Sequence, residues 1–374
     1  MKICIVSRGV DKKGGISRYN AELAERFCLN NEVHLLTYKC ELVNPYLNIH
    51  RYRIPEKPYF LQISTSFFKV SKLIKELDIK FNFDVIHSSE CESTYQDVIT
   101  AHSCVRGAFE KLGPNNPFVD FLRSLRPFTA FGLIVEKFIY TKHKYKKVIA
   151  VSEGVKREII SYYKIPEEDI VVIPNGVDIE KFKPNSRSRK KIRERYGLNG
   201  DEIVLIFSGH EFRRKGLKYI IEALPMIEGD VKLLVVGRDD PTPYKKLASK
   251  FKVLDKVIFA GFVPQVNEYY AASDIFVFPT AYEAYSLATL EAVASGLPII
   301  ATKVNGTEDL IKNGYNGFFI KADPTDIAEK INILAEDKRL RVQMSKNARK
   351  TAKKHSWDEV VKQTLRVYEE VSNR

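Results

Sequence analysis

Short apolar runs alternate with longer amphipathic stretches along most of the chain. Runs at Ile3–Val6, Val33–Leu36, Val85–His87, Val148–Val151 and Val171–Ile173 predict strands. A second series follows at Ile203–Ser208, Lys232–Val236, Val257–Ala260, Ile275–Phe278 and Ile299–Ala301. Helical spacing of apolar positions lies between them, as at Ser17–Phe27, Leu217–Leu224 and Ser286–Ser295. Such alternation predicts parallel sheets with helices on both faces. Because it continues past residue 300, two doubly wound α/β domains fit better than one sheet.

The break between the two series is residues 174–197, PNGVDIEKFKPNSRSRKKIRERYG, where prolines, glycines and a charge run read as a linker followed by a surface helix. The expected domains are 1–183 and 184–355. A last helix, Ser356–Asn373, carries Trp357, Val360, Val361, Leu365 and Tyr368 on one stripe, with Ser356 and Glu359 spelling a capping box.

Composition narrows the class. The 374 residues include 60 Lys and Arg against 47 Asp and Glu, a net +13 that suits an anionic partner: a phosphorylated ligand, a nucleic acid or an acidic membrane. Five cysteines, an odd number with no C-x-x-C, point to a reduced cytoplasmic protein without a zinc site. The start, MKICIVSRGV, reads as a first strand and not as a signal peptide. No apolar run reaches the ~18 residues of a membrane span.

Five segments can carry chemistry. Gly14-Gly15, between a strand and a helix, is either an anion site at a helix start or a tight turn needing positive φ. The loop Gly209-His210-Glu211-Phe212-Arg213-Arg214-Lys215-Gly216 follows a strand, where open α/β sheets bind ligands. Its Arg214 and Lys215 can hold a diphosphate, or it is a solvated basic turn. Glu283, in a loop, precedes a helix opened by Ser286 and carrying Glu291. Backbone N–H groups near Tyr285, Ser286 and Leu287 suit an anion, and the two carboxylates suit polyols on either side of it. That pattern describes a nucleotide-sugar. His102, at the end of an apolar run, reads alone as structural. The stretch Arg123–Lys147 mixes cations with Phe128, Phe131, Phe138 and Tyr140; it is either a reversible docking face for an anionic membrane or a solvated face over a core helix.

In this order and spacing the segments resemble glycosyltransferase family 4, retaining enzymes of the GT-B fold, across essentially the whole chain. The resemblance rests on Gly14-Gly15, on Pro174-Asn175-Gly176-Val177-Asp178 with Phe182, and on the basic loop. It rests further on Gly261-Phe262-Val263-Pro264 with Ala272-Ser273-Asp274, and above all on Glu283–Glu291 followed by Ser295-Gly296-Leu297-Pro298. The Phe-x-Arg-Lys-Gly spelling is similar to the lipopolysaccharide core glucosyltransferase I branch.

The resemblance implies two Rossmann-like domains facing a cleft, the first on the acceptor side with the last helix packing back on it, and a nucleotide-sugar on the second. It implies ribose on Glu291, transferred sugar on Glu283 with His102 nearby, and diphosphate on Lys215 and the N–H groups of Tyr285, Ser286 and Leu287. Gly14 or Gly15 closes over the donor; Gly209, Gly261, Phe262 and Val263 join its contacts. Many members have Gly-Arg where this chain has Gly209-His210, so the phosphate-binding arginine is Arg213 or Arg214.

The implied reaction is retaining transfer of a hexose, metal-independent, from a UDP-sugar to a glycan or lipid-linked acceptor of cell-envelope polysaccharide or glycolipid synthesis. The implied place is the cytoplasm, with peripheral attachment to the membrane. A GDP-mannose-dependent mannosyltransferase, a GT-B-type nucleotide-sugar epimerase and a non-catalytic binding module are the alternatives; a nucleic-acid partner rests on charge alone.

Overall fold

The computed structural model describes residues 1–53, 59–113 and 126–372, with the backbone alone for 59–66 and 128. It separates into two compact units, Met1–Gly176 with Trp357–Arg374, and Val177–Ser356.

The first unit is built on a seven-stranded parallel sheet. Its strands are β1 (Lys2–Val10), β2 (Glu32–Cys40), β3 (Leu47–Arg51), β4 (Val85–Ser89), β5 (Val98–Ala101), β6 (Lys147–Ala150) and β7 (Ile170–Val172), in the order β3-β2-β1-β4-β5-β6-β7. Ile3–Val6 is buried throughout, as a central strand covered on both faces requires. Strand β1 outlasts its apolar run because Ser7, Gly9 and Val10 still pair with Thr37, Lys39 and Cys40. The sequence pattern did not mark β3, a short edge strand of mixed polarity, and left β5 as an unassigned apolar run.

Helices α1 (Gly15–Phe27), α2 (Tyr59–Phe81), α3 (Val105–Lys111), α4 (Pro127–Thr141) and α5 (Glu153–Tyr163) complete this unit with a last helix from the chain's end, Trp357–Ser372. From that helix Trp357, Val360, Val367, Tyr368 and Val371 share one core with Ile3, Tyr19, Leu23 and Phe27. The Tyr368 hydroxyl lies 2.5 Å from Nδ1 of His87, whose Nε2 is 2.7 Å from Thr100 Oγ1.

The second unit has a six-stranded parallel sheet. Strands β8 (Ile203–Ser208), β9 (Val231–Val236), β10 (Val257–Gly261), β11 (Ile275–Phe278), β12 (Ile299–Thr302) and β13 (Gly317–Ile320) run in the order β10-β9-β8-β11-β12-β13. Only the four-residue β13 escaped the sequence pattern. Helices α6 (Ser186–Arg195), α7 (Leu217–Ala223), α8 (Thr242–Lys250), α9 (Val266–Ala272), α10 (Leu287–Ala294), α11 (Thr307–Leu310), α12 (Pro324–Glu336) and α13 (Lys338–Lys353) flank it. The helix at the chain's end is therefore α14.

The chain crosses between units at 176/177 and 356/357, so the first crossing precedes the expected boundary at 183/184. Residues 177–183 belong with the second unit because Phe182 is buried there and its carbonyl accepts from Arg349 Nη1 at 2.7 Å. Helix α6 is anchored too: Arg189 and Arg193 reach the Asp274 carboxylate at 2.8 and 2.7 Å.

Candidate active site

In the second unit, two loops at neighbouring strand ends converge. The basic loop leaves β8 and ends where Gly216, at φ +78°, starts α7. A Cβ there would run into the Pro279 carbonyl, so only glycine lets this loop lie against the end of β11. The backbones join as Ala281 N donates to Arg214 O at 2.9 Å.

This approach makes a compact charged group. Glu283 Oε1 accepts from Arg214 Nη1 and from Thr280 Oγ1, each at 3.1 Å, and Lys215 Nζ lies 4.0 Å away. Arg214 also donates to the Tyr282 carbonyl and, by Nε and Nη2, to Glu211 Oε2. Lys215 is largely buried, with Nζ 5.1 Å from the centre of the Phe278 ring. Burial lowers its pKa, opposed by Glu283, Glu211 and Glu291 and aided by Arg214. Gly209 leaves room for it, since a Cβ there would come within 2.6 Å of Nζ.

Helix α10 starts beside Glu283. Ser286 caps it, its hydroxyl accepting from Thr289 N at 3.2 Å. Gly306, at φ +76°, packs on this start: a Cβ would lie 2.5 Å from Tyr285 Cα and 3.1 Å from Ser286 N. Tyr285 is buried, its hydroxyl 3.5 Å from His355 Nδ1. Further along α10, Glu291 Oε2 accepts from Tyr270 OH at 3.5 Å. The supporting groups Thr280, Tyr270, Glu211 and Gly306 were not found from sequence. Only Gly306, as a glycine before a threonine-started helix, carried a local signal.

The structure does not bring every expected residue to this group. Arg213 is exposed, whereas Arg214 faces Glu283, so Arg214 is the arginine the loop commits. His210, in place of the family's arginine, accepts from Arg238 N at 3.1 Å, and burial lowers its pKa, with Lys215 and Arg238 adding to the effect. Gly261, Phe262 and Val263 close β10, with Phe262 exposed beneath the Arg238 guanidinium at 3.8 Å.

Gly14, Gly15 and His102 belong to the first unit. Neither glycine has positive φ: Gly14 is the extended cap of α1 and Gly15 its first residue. The tight-turn reading is thereby corrected. In the turn before the helix the Asp11 carboxylate accepts from Lys13 N at 2.6 Å and Gly14 N at 3.1 Å. His102 is buried just past β5, its ring edge-on to Tyr19 at 4.7 Å and its Nε2 without a hydrogen-bond partner. Burial lowers its pKa to about 3.

The basic aromatic stretch divides. Arg123 and the Phe128 side chain lie outside the described residues. Tyr140 is a core residue, which removes it from any docking face. Lys146 pairs with Asp97 at 3.0 Å and Lys147 with Glu370 at 2.9 Å. Phe138 is 41% exposed on α4, and Ile134, unremarked in the sequence, 66%. Among the described residues no helix is long and apolar enough to cross a membrane.

Two Rossmann-like halves, one carrying a basic loop and a carboxylate-bearing helix at its strand ends, define a GT-B-type protein. Comparison with known proteins agrees. The family described as Glycosyl transferases group 1 matches residues 188–351, and Glycosyltransferase Family 4 matches residues 13–181. The chain belongs to the family 4-like glycosyltransferases.

It is 29% identical to the uncharacterized glycosyltransferase MJ1607 of Methanocaldococcus jannaschii over 98% of both chains. Among solved structures it resembles WaaG, a glycosyltransferase involved in lipopolysaccharide biosynthesis, with a TM-score of 0.79 at 20% identity, covering 98% of this chain and 99% of that one. Anabaena HepE in complex with UDP and glucose gives 0.72 at 18% identity, covering 99% and 100%.

Proposed function

We propose that this glycosyltransferase moves a hexosyl group from a UDP-sugar to a glycan or lipid-linked acceptor of cell-envelope polysaccharide or glycolipid synthesis, with retention at the anomeric carbon. The observation that carries the reading is the Arg214–Lys215–Glu283 group beside the start of α10, with Glu291 on the same helix. UDP and envelope chemistry come from HepE and WaaG, whose names state those ligands and that pathway.

The anomeric carbon's bond to the diphosphate oxygen breaks while its bond to the acceptor oxygen forms on the same face. The acceptor's proton passes to the departing phosphate. The protein positions both partners and stabilises the charge on the leaving group. Lys215, Arg214 and the N–H groups at Tyr285, Ser286 and Leu287 supply that positive potential, in the role a metal ion has elsewhere. Glu283 orients the transferred sugar and Glu291 holds the ribose. Gly209, Gly261, Phe262 and Val263 complete the donor contacts. Reversible docking on an anionic bilayer through Lys137, Phe138 and Ile134 brings a lipid-linked acceptor within reach.

The test is a thermal-shift panel of UDP, GDP, ADP and their sugars, since a ligand that binds the folded state raises its apparent stability. Product analysis follows, with labelled donor and a glycan acceptor, in excess EDTA. A UDP-sugar is expected to give the largest shift and an acceptor-dependent product of unchanged anomeric configuration. Conversion of the donor without acceptor identifies an epimerase instead, and preference for GDP-mannose a mannosyltransferase.

A further inference from the structure

The second unit contains a cavity of about 700 Å³ that shares no wall with the Arg214–Lys215–Glu283 group. It is bounded by the start of α6, by the residues just before β11 and β12, and by one side of α13. It therefore lies at the amino ends of β11 and β12, whereas the charged group lies at the carboxyl ends of β8 and β11. Gly296, at φ +77°, lets the wall close up. A Cβ there would lie 3.2 Å from Pro184 Cγ and 3.3 Å from Ser345 Oγ.

The charge around this space is one-sided. Arg189, Lys338, Arg341 and Lys346 line it against a single carboxylate, Asp274. That carboxylate is already shared by Arg189 at 2.8 Å and Arg193 at 2.7 Å. Among the described residues no carboxylate pairs with Lys338, Arg341 or Lys346. Arg341 is fixed in the wall, since its Nη1 donates to the Leu334 and Ala335 carbonyls of α12. Asn185 caps α6 by accepting from Ser188 N at 2.9 Å, so the N–H of Ser186 keeps no acceptor within the helix. The end of α10 would oppose an anion here, but Arg349 takes the Ala294 carbonyl. A separate sign of a ligand is Ser295. It stands in the wall, 3% exposed, and its hydroxyl has no hydrogen-bond partner.

A phosphate group supplies the missing negative charge and fills only part of the volume. The rest of the wall is aliphatic, from Leu297, Pro298 and Val342, interleaved with the hydroxyls of Ser273 and Ser345. Its one aromatic residue, Tyr270, is fully buried and donates to Glu291, so no ring face is offered to a nucleobase. Hydroxyls and aliphatic carbon without a stacking face match a sugar or polyol.

We propose that this cavity is a second ligand site, for a phosphorylated sugar, with Lys338, Arg341 and Lys346 on the phosphate and Ser295 among the hydrogen-bonding groups. The site is separate from the donor site and does not depend on the donor's identity.

The experiment is calorimetric titration of the full chain with glucose 6-phosphate in saturating UDP, with glucose and inorganic sulfate titrated in parallel. Glucose 6-phosphate is expected to bind saturably at one site and more tightly than sulfate, with glucose giving no heat. The double variant Lys338→Ala/Lys346→Ala is expected to weaken it about tenfold or more, as for loss of charged hydrogen bonds. Both side chains are exposed, so the unfolding midpoint and the affinity for UDP should stay as in wild type. Lys215→Ala, at the other end of the sheet, should leave glucose 6-phosphate binding unchanged.

No saturable heat in saturating UDP, an equal response to sulfate, or a response lost in Lys215→Ala and kept in the double variant would overturn the proposal. So would attachment to phosphatidylglycerol vesicles through these lysines without binding of glucose 6-phosphate. Titration with UDP alone reads the donor assignment by itself, so either reading can fail without the other.

Discussion

The two units solve the same problem of chain topology and finish it with opposite chemistry. Each places loops and a helix start at the carboxyl ends of a parallel sheet. In the second unit those ends carry Arg214 and Lys215, and α10 opens with its backbone N–H groups beside them. In the first unit Asp11 holds the turn just before α1, and Glu90 and Glu92 line a cavity next to it. A Rossmann-like frame therefore supplies a location without choosing a ligand. The choice is made by a few loop residues whose charge either completes the helix dipole or cancels it.

The largest expected effect concerns the positive half of this contrast. Lys215→Ala should lower the transfer rate by about 10²–10³, as for loss of one preorganised charge contact to the leaving group. Steady-state kinetics with donor and acceptor varied separately would show it; an unchanged rate would remove Lys215 from the site.

Next comes the division of labour between the two glutamates of the second unit. Glu291→Ala should weaken UDP binding by about tenfold or more, as loss of a charged hydrogen bond to ribose would. Glu283→Ala should leave UDP binding close to wild type and depress turnover. Calorimetric titration with UDP beside kinetic measurement separates these outcomes, and equal losses in both assays for both variants would erase the distinction.

A smaller effect lies in the acid response of the first unit. Burial lowers the pKa values of His87 and His102 to about 3, so each is neutral in the folded chain while the unfolded chain takes up a proton below about 6.5. Their contribution is fully present above that pH and is lost as pH falls toward 3. Glu90, raised to about 8, works with the opposite sign: the folded state holds the extra proton between about 4.5 and 8. Urea unfolding between pH 5 and 8, followed by the fluorescence of Trp357, should show His102→Asn reducing the acid loss and Glu90→Gln deepening it. Parallel pH curves for both variants and wild type would contradict this.

The smallest effect is at the start of α1. Asp11→Asn should cost about 0.5–1 kcal/mol of unfolding free energy, since a charge near a helix N-terminus is exchanged for a neutral amide. A larger loss would mean that Asp11 carries more of the first unit's order than its two backbone contacts imply.

The sequence by itself determined the frame. A period of short apolar strands and amphipathic helices is a local property, and it was enough to announce two parallel α/β sheets and to place Glu283, Glu291 and Lys215 beside strand ends. The tertiary structure decided what depends on which distant segments become neighbours. Adjacent residues Arg213 and Arg214 have the same composition and spacing, but only Arg214 meets Glu283, 69 residues away in the chain, because β8 and β11 pair and Gly216 lets their loops touch. Tyr140 looked like part of an exposed basic aromatic face and is a core residue, because α4 turns that side inward. Asp11 came to hold the turn before α1 only once that loop had folded back to bring Lys13 N and Gly14 N onto its carboxylate. Hydrophobic periodicity fixes which way residues face along one element; pairing between elements fixes which charges meet, and those meetings set the chemistry.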